Sequence, residues 1–498
     1  MIRRVVVAGW GQAIQKKKHS GTLTDALGLA ARASVQAFET AGAMDTIASL
    51  DGLMMVRIMS SHFDAPDKTL ARAIGANPRL SMVSRIGGNS PQALVNKAAG
   101  LIARGELDTV LIAGGETYYP RTGSGNTLGE KLLFQGVDEA DHGDDTIGST
   151  PLEASHGLTL PIHGFPLFET ALWAASGLSL DQYRMDIANL WSGFSQVAAT
   201  HPFAWTDQPR TPGDIAKPTP ANRWICFPYT KYMNPCVTVD LGAAVLLMSE
   251  EKARQLSCPV GRPVYFRAGG FAQDRQRFLI EKTNFVSSPP LKAAVEKALT
   301  RSGLSLEEIN CFDLYSCFPC AVSMARRMTG IQNLDPRPLT LTGGLGFFGG
   351  PGNNYSLHAI ATLAESIASG KRENGMVTSL GWFMHKHAAG IYSALPGANA
   401  PESWDLEDDN DFLVGGTPVP VDPRPTGSGT IETYTVDFSH RDEPPHGILY
   451  GRTRGDRRFI SVSDDPETIA ALIRENQVGR QVKLRPGKAH DTTLATLA

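Results

Sequence analysis

The sequence predicts an α/β protein built from two like halves, followed by a small β-rich, OB-like domain. Three observations carry this reading: an ordered internal repeat of strand and helix blocks, a Pro-, Gly- and acid-rich stretch after Ser393, and a change to short alternating strands beyond about Thr430. The 498 residues suffice for two or three domains around a large core. The expected division is 1–260 for the first half, including an insertion at 116–240, then 261–393 for the second half, 394–429 for a linker and 430–498 for the additional domain.

Three blocks define the repeat. VVVAGWGQ faces VYFRAGGFAQ, pairing Ala8 and Gly9 with Ala268 and Gly269 at an offset of 260, each a buried strand entering a glycine turn. The helical pattern LTDALGLAARASVQAFETAG stops at Gly42, and PPLKAAVEKALTRSG stops at Gly303; Asp51 and Asp313 then stand 262 apart. In the third block the helix-ending glycines Gly105 and Gly370 are 265 apart. Alternating strands and amphipathic helices in each half read as β-α-β units covering a central sheet. The insertion is rich in Gly, Pro, Asp and Thr around a helical island, and is placed over the sheet's C-terminal edge, where ligands of α/β folds bind. The tail offers TIETYTVDF, GILYGRTR, RRFISVS and RQVKLRPG as strands and PETIAALIREN as a helix.

Composition excludes several functions. A formal charge of −3 with 42% hydrophobic and 19% charged residues leaves no polybasic field for nucleic acid or anionic lipid. No apolar run reaches membrane-spanning length and MIRRVVVAGWGQ lacks a signal-peptide h-region, so the expectation is a cytoplasmic protein with neither membrane nor nucleic-acid partner. All six cysteines lie past residue 225, an uneven usage that fits reduced thiols. Cys317 and Cys320 form a lone C-x-x-C with no second ligand pair, so no metal is expected.

With the repeat, TGGLGFFGGPGNNYSLHAIA and DLYSCFPCA in hand, the chain resembles the thiolase superfamily over residues 1 to about 393. Within it, the resemblance is to the sterol-carrier-protein-2 thiolase branch and its thiolase-like proteins of type 1, which carry an additional C-terminal domain. The resemblance implies a duplicated, five-layered α/β/α/β/α sandwich whose active members bind acyl-CoA and make or break carbon–carbon bonds by Claisen chemistry, as acetyl-CoA acetyltransferases do. That chemistry needs a thiolate, an activating histidine, a base and oxyanion donors.

The matching positions lack those groups. The C-x-S nucleophile motif falls on Gly88, Asn89 and Ser90; G-H-P falls on Gly349, Gly350 and Pro351. The C-x-G motif falls on Ser379, Leu380 and Gly381, and H-D-C-F on Tyr315, Ser316, Cys317 and Phe318. Glycine cannot carry an acyl group, and Ser90 before Pro91 reads as a helix N-cap. Removing nucleophile and base together leaves little turnover.

What remains are a Cys317/His387 pair as substituted catalytic residues, and Asn89, Ser90, Gly349, Asn353, Asn354 and His358 as groups lining an acyl-CoA or pantetheine path. Arg121, Lys217, Arg223 and Lys231 are candidates for the CoA phosphates. The expected function is binding of CoA or acyl-CoA thioesters, as ligand with no cofactor required, without standard thiolase chemistry. Two alternatives stand beside it: an active acyltransferase or thioester hydrolase with substituted residues, and a non-catalytic scaffold binding a protein partner through residues 430–498. Homodimer and monomer both stand open; the family's dimers imply pairing through the strand after the nucleophile helix, here TVLIAGG.

Overall fold

The computed structural model describes residues 3–16, 23–119, 148–256, 262–397, 413–440, 443–487 and 492–498. Arg121, Cys258 and much of the acid-rich linker lie outside them. Counting helices of eight residues or more, the first half contains β1 (Val5–Ile14), α1 (Ala26–Thr40), β2 (Gly52–Met55), α2 (Pro66–Ile74), β3 (Leu80–Val83), α3 (Ser90–Ala103) and β4 (Thr109–Thr117). The insertion adds α4 (Pro161–Ser176), α5 (Leu180–Thr200), β5 (Trp224–Cys226) and β6 (Tyr229–Thr230), and β7 (Asp240–Ser249) completes the half. The second half has β8 (Tyr265–Asp274), α6 (Pro289–Ser302), β9 (Cys311–Asp313), α7 (Pro319–Thr329), α8 (Tyr355–Ala368), β10 (Asn374–Gly381) and β11 (Lys386–Ser393).

The strand order is β3-β2-β4-β7-β1 in the first half and β9-β10-β11-β8 in the second, the two joined by the pair Val6↔Tyr265. The amides of Phe312 and Leu314 donate to the carbonyls of Pro338 and Leu339 on the free edge of β9, where β3 runs in the first half. Both halves therefore repeat one topology. Apolar, glycine-poor α3 and α8 are buried along most of their length and lie between the two halves, with α1 and α6 on the outer faces. The layers run α/β/α/β/α, as the resemblance implies.

The pairing registers correct the repeat's details. The β1 ladder to β7 shifts between Val7 and Gly9, and the β8 ladder to β11 shifts at Arg267, between Phe266 and Ala268, so Gly9 corresponds to Ala268, an offset of 259 rather than 260. A one-residue slip exchanges the two faces of a strand. Likewise Gly52 pairs with Val110 as Cys311 pairs with Gly375, which makes Asn310, not Asp313, the counterpart of Asp51. Their side chains agree: Asp51 Oδ2 accepts from Thr109 N at 3.0 Å, and Asn310 Oδ1 accepts from Asn374 N at 3.0 Å. The third block holds at 265: Gly105 and Gly370 both have φ +76 and each packs against an arginine, Arg3 and Arg262.

TVLIAGG is not an edge. β4 pairs with β2 on one side and β7 on the other, so its backbone groups are used and it cannot join a second copy; the sheet's edge in this half is β3.

The tail forms a closed barrel of β13 (Gly427–Asp437), β14 (His446–Thr453), β15 (Arg458–Ser463), β17 (Thr493–Leu497) and β16 (Gln481–Pro486), returning to β13. β15 and β17 run parallel and α9 (Pro466–Arg474) lies between β15 and β16 in sequence, the connectivity of an OB-fold. Closure leaves the insertion to extend the sheet: β5 pairs with β13 at Asp437↔Cys226. Within the stretch expected as linker, β12 (Leu413–Val414) pairs with β8, and Val421 bridges Arg458.

Buried polar clamps fix this barrel to the body. Glu153 accepts from Tyr450 Oη at 2.8 Å and Ile280 N at 2.8 Å, while Arg458, fully buried, meets Glu432 Oε2 at 2.7 Å and donates to Lys282 O at 2.8 Å. No helix among the described residues is long and apolar enough to cross a membrane.

Candidate functional site

The loop before α3, the GGPG loop before α8 and the ends of β9 and β10 converge on Gly88. A Cβ built on Gly88 would overlap the Tyr315 hydroxyl, lying 2.7 Å from Tyr315 Cζ and 2.5 Å from Leu380 O. Tyr315 itself is held by Thr378, whose Oγ1 accepts from the Tyr315 amide at 3.0 Å, and by an edge contact with the Tyr355 ring at 5.6 Å. The position from which a nucleophile would project is therefore filled by the phenol three residues behind Phe318. Burial pushes the Tyr315 hydroxyl well above the usual phenol range, so it stays protonated.

Helix α3 begins at Ser90, and the capping position belongs to Asn89, whose side chain makes no capping bond. Ser90 was expected as the cap; instead its Oγ donates to Arg85 O at 2.7 Å. The Asn89 amide is wedged against Gly87 and Gly381, where any Cβ would meet its Oδ1, and that oxygen has no hydrogen-bond partner. Asn354 caps α8 at an offset of 265 from Asn89, lies against Gly114, and leaves both amide atoms buried without partners. The two central helices thus begin with matching, unsatisfied asparagines.

Asn353 ties the loops together, accepting from Gly87 N at 3.0 Å and donating to Arg57 O at 3.1 Å. His358 Nδ1 meets Gln12 Oε1 at 2.8 Å, its Nε2 has no partner, and burial holds the ring down to about 3. Gly349 has φ +127 and lies 3.0 Å from Leu241 Cδ1 by its notional Cβ, so glycine is required there; Gly350 has only ordinary contacts, the nearest at 3.4 Å. Ser379 Oγ donates to Ser356 Oγ at 2.8 Å, and Ser356 reaches Gly88 O at 3.5 Å. Among the described residues no imidazole or carboxylate hydrogen-bonds to Ser379 or Ser356. Gln12 and Ser356 carried no sequence signal; only the fold brings them here.

The side-chain partner of His387 is a hydroxyl rather than a thiol. His387 Nε2 faces Ser288 Oγ at 3.2 Å, ahead of the outer helix α6, whereas Tyr392, five residues on along the strand, turns the other way to Gln92 of α3. Burial holds His387 down to about 3 and pushes the Cys317 thiol up, so neither is poised as base or thiolate. No hydrogen bond or ion pair links the two among the described residues. Of the proposed phosphate contacts, Lys217 and Lys231 are exposed, while Arg223 donates to Trp224 O and Phe438 O.

A second cluster joins insertion and barrel: the ligand-type atoms of His163, Cys226 and Asp437 lie within 4.8 Å of one another. Its donor chemistry is that of a satisfied carboxylate. Asp437 Oδ1 accepts from Cys226 Sγ at 3.3 Å and from Ser439 N at 2.7 Å. His163 Nδ1 accepts from the amides of Thr159 and Leu160, which leaves the neutral ring's proton on Nε2, facing Asp437 Oδ2 at 3.5 Å. The lone pair a cation would need is not free.

Comparison with known proteins agrees with this geometry. The thiolase-like protein type 1 additional C-terminal domain matches residues 414–489. A monomeric SCP2-thiolase like protein type 1 from Mycobacterium smegmatis is 31% identical over 100% of both chains, with a TM-score of 0.84. The Ltp2-ChsH2(DUF35) aldolase shares 20% identity over 78% of this chain and 97% of its own, with a TM-score of 0.61. An acetyl-CoA acetyltransferase from Syntrophomonas wolfei shares 16% over 79% and 100%, with a TM-score of 0.54. No curated protein matches the chain.

Proposed function

Because the chain belongs to the SCP2-thiolase-like protein type 1 family, we propose that it binds CoA thioesters beside its two central helices without performing Claisen chemistry. The observation that carries this reading is Tyr315 occupying the side-chain position of Gly88. An acyl-enzyme needs a nucleophile there, and among the described residues no thiol is hydrogen-bonded to an imidazole. Binding is supported by the unpartnered polar atoms of Asn89, Asn354 and His358, which a polar ligand or water would satisfy.

Calorimetry with CoA, acetyl-CoA and acetoacetyl-CoA tests the reading. Saturable binding of at least one is expected, weakened by Lys217→Ala or Lys231→Ala if either exposed cation meets the CoA phosphates. Absence of binding by all three at millimolar concentration removes it.

A further inference from the structure

We infer that Tyr315 has turned the nucleophile's position into a hydrogen-bond donor for the ligand, so that the site recognises an uncharged carbonyl oxygen, of the thioester class, through the Tyr315 hydroxyl. The inference rests on the proposed binding of CoA thioesters and deepens it. Its basis is positional: the hydroxyl lies where a Gly88 side chain would project, at the opening of α3, a helix of 14 residues whose first-turn amides add partial positive charge.

Two further facts point to a ligand. Tyr315 is only 7% exposed, and its hydroxyl makes no hydrogen bond among the described residues while keeping some access to solvent; its backbone amide donates to Thr378. Beside it the 95%-buried Asn89 leaves Oδ1 unpartnered. Buried polar groups are almost always paired, and the unpaired Asn89 oxygen beside an accessible, unpartnered hydroxyl at one helix start marks a place where a ligand or water completes the set. A protonated phenol donates and suits a neutral carbonyl; the free thiol end of CoA carries no thioester oxygen to accept that bond. No bond to the protein forms or breaks, so the thioester is held intact.

The test is calorimetric and spectroscopic on the full chain. Tyr315→Phe keeps the ring and removes the donor. We expect acetyl-CoA affinity to fall about tenfold while free CoA affinity is unchanged, the size of one neutral hydrogen bond. The infrared carbonyl band of bound acetyl-CoA, labelled with ¹³C at the thioester carbon, should move up in Tyr315→Phe. Should the variant fail to fold, the wild-type protein alone decides: the bound band is expected below its position in an aprotic solvent, and a band at that position overturns the inference. Equal acetyl-CoA affinity and an unmoved band in a folded Tyr315→Phe also overturn it while leaving thioester binding intact. Failure of wild type to bind either compound overturns both.

Discussion

The Tyr315 phenol and the missing side chain of Gly88 occupy the same space. The two departures from the family motif are therefore one coupled change: loss of the nucleophile's side chain opens a gap, and an aromatic ring standing at the histidine position of the H-D-C-F motif fills it. Close packing makes each residue the condition for the other.

That coupling predicts non-additive stability. Gly88→Ala should cost about 1–3 kcal/mol by overpacking. In a Tyr315→Ala background the same change should cost about 1 kcal/mol less, because only the Leu380 carbonyl then opposes the methyl. Urea unfolding of the four proteins checks it, and strictly additive losses would show that the residues do not compete for space.

Acid should unfold the protein below about pH 6.5. Burial holds His163 and His201 down to about 4 and His358 and His387 down to about 3. Unfolded histidines take up protons near 6.5 that the folded ones refuse, so their contribution is lost as pH falls from 6.5 toward those values. Melting temperatures at pH 7 and 5 measure the slope, and His358→Gln should lessen it.

Glu169 predicts the opposite trend, between about pH 4.5 and 7. Its carboxyl, buried between Tyr183 Oη at 2.5 Å and Tyr229 Oη at 2.6 Å, is pushed up to about 7, chiefly by desolvation. A carboxyl raised in the folded state contributes stability fully below about 4.5 and loses it as pH rises through 7. Glu169→Gln keeps an acceptor and removes the charge, so it should gain on wild type between pH 5.5 and 8, by up to about 2 kcal/mol. A constant difference across that range would contradict the assignment.

The barrel should act as part of the body. Arg458→Ala leaves Glu432 to Arg452 alone and strands two backbone carbonyls at the seam, a loss expected at about 2–4 kcal/mol. Limited proteolysis should then release the barrel from the rest of the chain, and resistance equal to wild type would show the clamp to be dispensable.

The architecture was legible because strand and helix periodicity and helix-ending glycines survive duplication; Gly105 and Gly370 marked the third block correctly. What failed was register. Matching Ala8 to Ala268 by identity slipped β1 by one residue, because the bulges at Ala8 and Arg267 leave no trace in composition. Asp51 was paired with Asp313 by residue type, although Asn310 does its work. Motif alignment found Gly88 and Tyr315 separately, but a contact between residues 227 apart in sequence is set by tertiary packing. The partner of His387 was equally invisible in the sequence: alternation along β11 turns its ring to Ser288, 99 residues away.

Thiol-dependent cleavage of acetoacetyl-CoA is the most direct measurement of the central claim, that the catalytic position is filled and no other residue replaces it. Wild type and Cys317→Ala should both leave the thioester at the rate seen without protein. Turnover by wild type that Cys317→Ala or His387→Ala abolishes would contradict the account.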